Sequence, residues 1–210
     1  MNLFNPNPCP LVAILRGLTP EEAPTVGRIL FDTGFRMLEV PLNRPGAIDA
    51  IQALLEIAPD DALVGAGTVL TAHDVDAVRE AGGRLIVSPH CEPEVIERAA
   101  RHGMIALPGV TTPTEAFRAL EAGAHGLKLF PAEMIAPAAV KAMRSILPPD
   151  TPLFPVGGIQ PHNMAAYVAA GATGFGVGGQ LYQPRIDQDM LRRSADEFMT
   201  ARHNLLKDLV

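Results

Sequence analysis

The sequence lacks the features that would direct a protein to a membrane, to a nucleic acid or to an oxidising compartment. None of its 210 residues belongs to an apolar run approaching 18 uncharged residues, and the N-terminus lacks a cationic segment followed by an apolar run and a cleavage site. There is no basic cluster, and the net charge of -6 argues against a phosphate-backbone partner. Cys9 and Cys91 have no redox or metal-ligand spacing, so reduced thiols are expected. We therefore expect a cytoplasmic protein with neither nucleic-acid nor membrane partners.

Lysine is also scarce, and one lysine lies in an unusual place. The chain has three lysines, and Lys128 stands inside the apolar run GLKLFPA at 126–132. An ammonium group taken into apolar surroundings without a partner costs several kcal/mol, and in practice its pKa falls instead. Lys128 therefore either reaches water or has a chemical role.

The sequence contains many repeats of one pattern, a predicted strand followed by a predicted helix. Short runs rich in Val, Ile, Leu and Ala recur at close to one β-α spacing, and 48% apolar residues can supply a sizeable core. Continuous apolar strands that alternate with helices predict a parallel sheet buried on both faces. Eight such units predict a closed (β/α)8 TIM barrel, an α/β fold, as a single domain over residues 1–210, with an open doubly wound sheet as the alternative. The predicted strands are 11–16, 37–42, 63–69, 84–89, 105–109, 126–132, 153–159 and 174–179.

Helix boundaries are marked along the chain. Thr19, Thr71 and Thr112 each precede an acidic residue in a helical pattern, which predicts three threonine N-caps. Helix ends carry glycine just past the periodic stretch, where a left-handed C-cap favours it. The glycines lie in the segments 32–35, 80–83, 101–104, 121–124 and 169–172.

Barrel enzymes carry their chemistry at the C-terminal ends of the strands, where this chain places few polar residues. Arg16 ends the first predicted strand, Glu39 lies in the second and Lys128 lies in the sixth, so three charges from three different strands point to one end. Alternation with period two puts Lys128 and Glu39 on inward faces, while the leucines and valine beside them face the helices. A buried ion-pair network that only closes the barrel is the structural alternative. We favour chemistry, because burial and a nearby arginine both favour a neutral lysine amine, which can form a Schiff base with a ketone.

Glycine pairs close the last two predicted strands. Gly157 and Gly158 lie at the end of the seventh, and Gly178 and Gly179 lie at the end of the eighth. Barrels commonly bind phosphate at these ends through loop amides, although tight turns also favour glycine. Two pairs on adjacent strands shift the balance toward phosphate, so a phosphorylated ketone or keto acid is the expected substrate, with Arg16 and Thr68 available for a carboxylate.

No metal and no cofactor are expected. The six histidines are scattered without metal-ligand spacing, and the strand ends carry no carboxylate pair of the kind found in metal-dependent epimerases. Two other classes of function remain open: a non-catalytic sugar-phosphate-binding barrel, and a different barrel enzyme such as a phosphate-dependent isomerase. Neither needs an amine in the sixth strand.

With Arg16, Glu39 and the segments GAGTV, SP, KLFPA and VGGI in this order, the chain resembles the 2-keto-3-deoxy-6-phosphogluconate aldolase family over nearly its whole length. The resemblance implies a class I aldolase on a (β/α)8 barrel, typically a homotrimer. Its members cleave a phosphorylated keto-deoxy sugar acid to pyruvate and D-glyceraldehyde 3-phosphate.

The resemblance also implies roles for individual residues. Lys128 is similar to the Schiff-base lysine, and Glu39 to the general acid/base that works through a water. The remaining roles are contacts to pyruvate and its carboxylate by Arg16, Thr68 and Pro89, and phosphate binding by Gly157, Gly158, Gly178 and Gly179.

Three departures narrow the choice within the family: those at Asn43 and Val156 favour the galactonate-type branch over the gluconate type, and the one at Gly179 removes a hydroxyl contact to phosphate. Gluconate-type members carry an arginine four residues after the glutamate, where this chain has Asn43 followed by Arg44. They usually have threonine at the position of Val156, and many relatives have serine at the position of Gly179. The gluconate-type and 4-hydroxy-2-oxoglutarate activities remain the alternatives within the family, because the two sugar-acid substrates differ at one hydroxyl.

Overall fold

The structure is a computed structural model that describes residues 9–207. The first eight residues, on which the expectation about the N-terminus partly rests, lie outside the described part of the chain. No helix in residues 9–207 is long and apolar enough to span a bilayer. The strands are β1 (Leu11–Ile14), β2 (Met37–Pro41), β3 (Leu63–Gly67), β4 (Leu85–Val87), β5 (Ile105–Leu107), β6 (Gly109–Val110), β7 (Leu127–Leu129), β8 (Leu153–Pro155) and β9 (Phe175–Val177). The α-helices are α1 (Ala23–Thr33), α2 (Ala47–Leu55), α3 (Ala72–Glu80), α4 (Pro93–Arg101), α5 (Pro113–Glu121), α6 (Pro137–Arg144), α7 (Met164–Ala169) and α8 (Gln188–Lys207).

The strands form parallel sheets, and helices connect them, so the predicted alternating α/β organisation is confirmed. One sheet has six strands in the order β5-β4-β3-β2-β1-β9, and the other has three in the order β6-β7-β8. Every ladder is parallel, and neighbours in space are neighbours in sequence except where β1 pairs with β9. An open doubly wound sheet would reverse its strand order at a switch point, and no such reversal occurs among these strands.

The fifth predicted strand, 105–109, differs from expectation because it is divided at Pro108. Residues before the proline pair with β4, and residues after it pair with β7. Proline has no N–H to donate to a ladder, which accounts for the interruption. Its carbonyl still accepts from the Lys128 N–H at 2.9 Å, so the chain passes from one sheet to the other within one residue.

The two sheets curl around a shared apolar interior. Val12, Met37, Leu107 and Phe154 come from strands of both sheets and belong to one buried cluster made of strand residues. A second, larger cluster lies between the outward strand faces and the helices. An isolated parallel bridge joins Val156, just past β8, to Gly176 of β9.

Two of the three predicted threonine caps are confirmed. Thr71 and Thr112 accept from the backbone N–H groups of Asp74 and Glu115 and complete capping boxes with them. The expectation for Thr19 is wrong, because α1 begins only at Ala23, and Thr19 instead accepts from the Glu22 N–H at 3.3 Å in the preceding turn. Glycine with positive φ follows helices α1, α3, α4, α5 and α7, as predicted.

Candidate active site

Lys128 and Glu39 point into the interior that the sheets enclose. Lys128, in the middle of β7, is 7% exposed, and Glu39, in the middle of β2, is 1% exposed. Leu127 and Leu129 face the other way and pack in the layer between strands and helices. The alternation read from the sequence therefore holds at both positions, because side chains of a strand alternate between its faces.

The two side chains share a small cavity with apolar walls. The cavity holds about 10 Å³ and is lined by both side chains together with Val12, Ile14, Val87, Leu107, Phe154, Val156 and Gly176. This is about the space that one water molecule needs. The ammonium nitrogen of Lys128 lies 4.5 Å from the centroid of the Phe130 ring.

Burial shifts both groups toward their neutral forms. Desolvation lowers the pKa of Lys128, and the nearby Arg16 guanidinium lowers it further, against the opposing attraction of Glu39. Desolvation raises the pKa of Glu39 to about 7, although Lys128 and Arg16 both favour its carboxylate. The direction of both shifts suits a nucleophilic amine beside an acid/base.

The Glu39 carboxylate has an oxygen available for a ligand. Its Oε2 atom is fully buried and has no hydrogen-bond partner in the described structure. A buried carboxylate oxygen without a protein partner is costly, so this oxygen is a candidate acceptor for a ligand or a water. Gly67, on the adjacent strand β3, makes room for it, because a Cβ there would overlap the carboxylate.

The small cavity opens into a cleft of about 770 Å³, which is within the usual range for a small-molecule site. Ile14, Val156 and Gly176 line both spaces, so they form the boundary between them. Arg16 and Arg44 bring positive charge to the cleft. Such a cleft suits an anionic ligand of several carbons that extends from Lys128 outward.

The far end of the cleft presents free backbone donors. The N–H groups of Gly158, Gly178, Gly179 and Gln180 make no hydrogen bond within residues 9–207. After β9 the chain turns so that the N–H groups of Leu181 and Tyr182 donate to the Gly178 carbonyl at 2.8 and 3.0 Å. Several unpaired amides around one concavity form an anion-binding site.

The remaining sequence-predicted residues lie at strand ends and do not line the cleft. Thr68 follows β3 with a φ of 53°, which is strained for a β-branched residue. Pro89 follows β4, and its carbonyl approaches the backbone of Gly109 so closely that a Cβ there would overlap it. Asn43 is exposed in the turn after β2.

Sequence reasoning missed several residues that line the cleft. Glu133, Gln180 and Tyr182 are among them, and none was singled out in the sequence. Glu133 had a usable signal, because it follows the lysine-bearing strand closely, where barrel enzymes place functional side chains. Gln180 and Tyr182 follow the second glycine pair within an irregular turn, so no periodic pattern marks them.

The site is made of charged side chains that are not grouped as metal ligands. Within residues 9–207, no three His, Cys, Asp or Glu side chains are grouped so that they could hold a metal ion. The groups that converge on the small cavity are one amine, one carboxylate and the nearby guanidinium of Arg16.

Comparison with known proteins points to one family. A sequence model of the family described as Aldolase, KDPG and KHG aldolase, matches residues 7–194. A protein of Rhizobium meliloti (strain 1021) named probable 2-dehydro-3-deoxy-6-phosphogalactonate aldolase is 48% identical over 186 residues, which cover 89% of this chain and 88% of the relative. The Escherichia coli (strain K12) protein named 2-dehydro-3-deoxy-6-phosphogalactonate aldolase is 44% identical over 192 residues, covering 91% of this chain and 94% of its own.

Solved structures agree with the sequence comparison. A structure described as native KDPGal superposes with a TM-score of 0.92 at 43% identity, and the match covers 94% of this chain and 96% of that one. The match therefore spans nearly all of the parallel α/β architecture and the site built on it. The chain therefore belongs to the KDPG and KHG aldolase family.

Proposed function

We propose that this protein is a class I aldolase that cleaves 2-dehydro-3-deoxy-6-phosphogalactonate to pyruvate and D-glyceraldehyde 3-phosphate. One observation carries the proposal: a buried lysine with a lowered pKa shares an apolar cavity with a carboxylate that keeps one oxygen unpartnered. The relatives at 44% and 48% identity bear this activity in their names.

Lys128 starts the reaction. Its neutral amine attacks the C2 ketone, and loss of water from the resulting carbinolamine gives a protonated imine. The imine withdraws electrons from the C3–C4 bond, so the lysine supplies the electron sink and the reaction requires no cofactor. Burial and Arg16 both favour the reactive neutral amine, because both lower the pKa of Lys128.

Glu39 moves the protons. It takes the C4 hydroxyl proton, directly or through the single water for which the cavity has room, while the C3–C4 bond breaks and its electrons form the enamine. The departing fragment is glyceraldehyde 3-phosphate. The enamine then gains a proton at C3, and water hydrolyses the imine to release pyruvate and regenerate Lys128. A pKa near 7 allows Glu39 to act as base and then as acid in one turnover.

The two anionic ends of the substrate bind to two different sets of groups. We assign the carboxylate end to Arg16 and Thr68, with Pro89 as a wall, and the phosphate to the amides around the two glycine pairs. The unpaired N–H groups at Gly158, Gly178 and Gly179 support the phosphate assignment. The strained backbone of Thr68 supports a functional placement, because strain persists where the surrounding structure fixes it.

We further propose that the two sheets form a closed eight-stranded barrel in a single domain. The bridge between Val156 and Gly176 supports closure at one seam, and the one-residue interruption at Pro108 supports continuity at the other. Counting β5 and β6 as one interrupted strand gives eight strands around the shared interior.

A cytoplasmic homotrimer is the proposed assembly, as the family resemblance implies. Met134 is 78% exposed and Phe117 is 41% exposed, so apolar side chains are available for subunit contacts. Light scattering on the purified 22.3 kDa chain tests the stoichiometry, and a monomeric mass would contradict it.

Pyruvate release from the two C4-epimeric substrates tests the proposed activity. We expect a higher kcat/KM for 2-dehydro-3-deoxy-6-phosphogalactonate than for the gluconate epimer, and no turnover of either by Lys128→Ala. Lys141→Ala is the matched control, because Lys141 is exposed on α6, away from the cleft. An enzyme that prefers the gluconate epimer would overturn the choice of substrate, and one that cleaves neither would overturn the assignment.

A further inference from the structure

Glu133 is held at the rim of the cleft by contacts on both sides. It lies in the 3-10 turn Ala132–Met134, directly after the lysine-bearing strand β7 and its Phe130–Pro131 connection. The Ala132 N–H donates to the Val156 carbonyl at 2.8 Å. The Tyr167 hydroxyl, from α7, donates to the carbonyls of Ala132 and Ile135 at 3.1 and 3.2 Å. The backbone of Glu133 is therefore fixed relative to β8, which precedes the first glycine pair.

The side chain of Glu133 packs over that glycine pair. A Cβ on Gly157 would overlap the Glu133 carboxylate, and a Cβ on Gly158 would come within 3.1 Å of its Cγ. Both glycines also have positive φ, at 112° and 62°. The absence of side chains at Gly157 and Gly158 therefore has two effects. It allows backbone amides to approach an anion, and it leaves room for the Glu133 carboxylate.

A carboxylate next to an anion site needs an explanation. Glu133 is the one carboxylate among the residues that line the large cleft, and it makes no hydrogen bond within the described structure. Its side chain packs against Gly157 and Gly158, where its negative charge repels a phosphate bound at the same pair. A hydrogen bond donated by the ligand would offset this repulsion, because an ionised carboxylate is purely an acceptor.

The substrate offers few donors for such a bond. Apart from its two anionic ends, the keto-deoxy acid has hydroxyl groups at C4 and C5. In the proposed mechanism the C4 hydroxyl gives its proton to Glu39, which lines the inner cavity with Lys128. The C5 hydroxyl is one carbon away from the phosphate-bearing C6, and so it lies near the glycine pair on which Glu133 packs.

We propose that Glu133 is a specificity-determining residue that accepts a hydrogen bond from the C5 hydroxyl of the substrate. This inference rests on the proposed function, since it takes the phosphate to lie on the glycine pairs. In the reverse reaction the same hydroxyl is at C2 of glyceraldehyde 3-phosphate. Glu133 therefore selects phosphorylated aldehydes that carry a 2-hydroxyl.

The test compares two aldehydes in the synthetic direction with saturating pyruvate. D-Glyceraldehyde 3-phosphate carries the hydroxyl, and freshly prepared 3-oxopropyl phosphate is the same aldehyde without it. The wild-type protein should prefer the hydroxylated aldehyde in kcat/KM by about ten- to a hundredfold, the range for a hydrogen bond to a charged acceptor. Glu133→Gln should reduce that preference to about threefold or less, with the loss falling on the hydroxylated aldehyde. Glu121→Gln removes an exposed charge at the end of α5, away from the cleft, and should behave as the wild type.

The possible results distinguish failure of the Glu133 proposal from failure of the proposed function. Equal preference in the wild type and in Glu133→Gln would overturn the proposal, provided that the variant keeps the wild-type melting temperature. An equal gain with both aldehydes would also overturn it, because it would mean that Glu133 only repels phosphate. A wild-type protein that condenses neither aldehyde with pyruvate would overturn the proposed function itself, a result distinct from an unchanged preference. If Glu133→Gln is unstable, Glu133→Asp, which retracts the carboxylate, should lower the same ratio.

Discussion

The carboxylate of Glu39 occupies the space that any side chain at position 67 would fill. Glu39 and Gly67 lie on the paired strands β2 and β3, where Gly67 is in register with Pro41, two residues beyond the glutamate. A Cβ on Gly67 would overlap both oxygens and the carboxyl carbon of Glu39. The glycine before Thr68 is therefore required for the position of the Glu39 carboxylate, the proposed acid/base, and its φ lies outside the left-handed region where glycine is favoured for the backbone alone.

Gly67→Ala should displace the Glu39 carboxylate. We expect kcat to fall by about a hundredfold, in the range that positioned acid/base groups contribute, and stability to fall by about 1–3 kcal/mol from overpacking. Urea unfolding and steady-state kinetics measure the two effects. In a Glu39→Ala background the collision is gone, so Gly67→Ala should then cost much less stability; an equal cost in both backgrounds would refute the steric explanation.

Burial of Glu39 should make stability depend on pH. Its pKa is about 7 in the folded protein against an ordinary 4.5, so the folded state retains a proton that the unfolded chain releases between these values. Stability from this group is therefore greatest at low pH and declines as pH rises from about 4.5 to about 7, by up to about 3 kcal/mol.

Unfolding free energies of the wild type and of Glu39→Gln across this range test the sign. The variant should lose less stability than the wild type as pH rises. Glu121→Gln serves as the control and should follow the wild type, because Glu121 is exposed. A Glu39→Gln profile parallel to that of the wild type would show that the carboxyl titrates normally.

A serine at position 179 should strengthen phosphate binding. A Cβ there meets no atom within 4 Å, and Gly179 is not among the glycines with positive φ, so the fold accommodates the side chain. The added hydroxyl can donate to the phosphate, which should lower the KM for glyceraldehyde 3-phosphate by about two- to tenfold. The KM for unphosphorylated glyceraldehyde should not change. An equal improvement for both aldehydes would argue against phosphate at this position.

Val156→Thr should shift the choice between the C4 epimers. Val156 is 7% exposed and lines both the inner cavity and the outer cleft, so it borders the path from C2 to the phosphate. Threonine has nearly the same shape and adds a hydroxyl, which can bond the C4 hydroxyl of the other epimer. We expect kcat/KM for the gluconate epimer to rise relative to the galactonate epimer by about tenfold. An unchanged ratio would remove Val156 from the specificity determinants.

Much of this architecture follows from local sequence patterns. The inward faces of Lys128 and Glu39 follow from the period of a strand, and the caps at Thr71 and Thr112 follow from hydrogen bonds within one helical turn. The parallel α/β organisation likewise follows from repeated apolar runs with helices between them. These features depend on neighbours in the chain, which a single sequence contains.

Other features depend on contacts between distant segments. The collision that Gly67 avoids involves Glu39, and the packing of Glu133 involves the glycine pair at 157–158. Nothing near Glu133 in sequence indicates that its carboxylate lies on those glycines. The delayed start of α1 after Thr19 shows that even a local signal fails when the chain takes an intervening turn.

The most direct test of the account is the intact mass of the protein after incubation with pyruvate and borohydride. An imine with pyruvate would be reduced to a stable adduct, which peptide mapping should place on Lys128, with no adduct in Lys128→Ala and an unchanged adduct in Lys141→Ala. Burial of Lys128 beside Glu39, together with its lowered pKa, predicts this result. A folded wild-type protein that gains no mass at saturating pyruvate, or one that is labelled elsewhere, would contradict the assignment of Lys128 as the nucleophile.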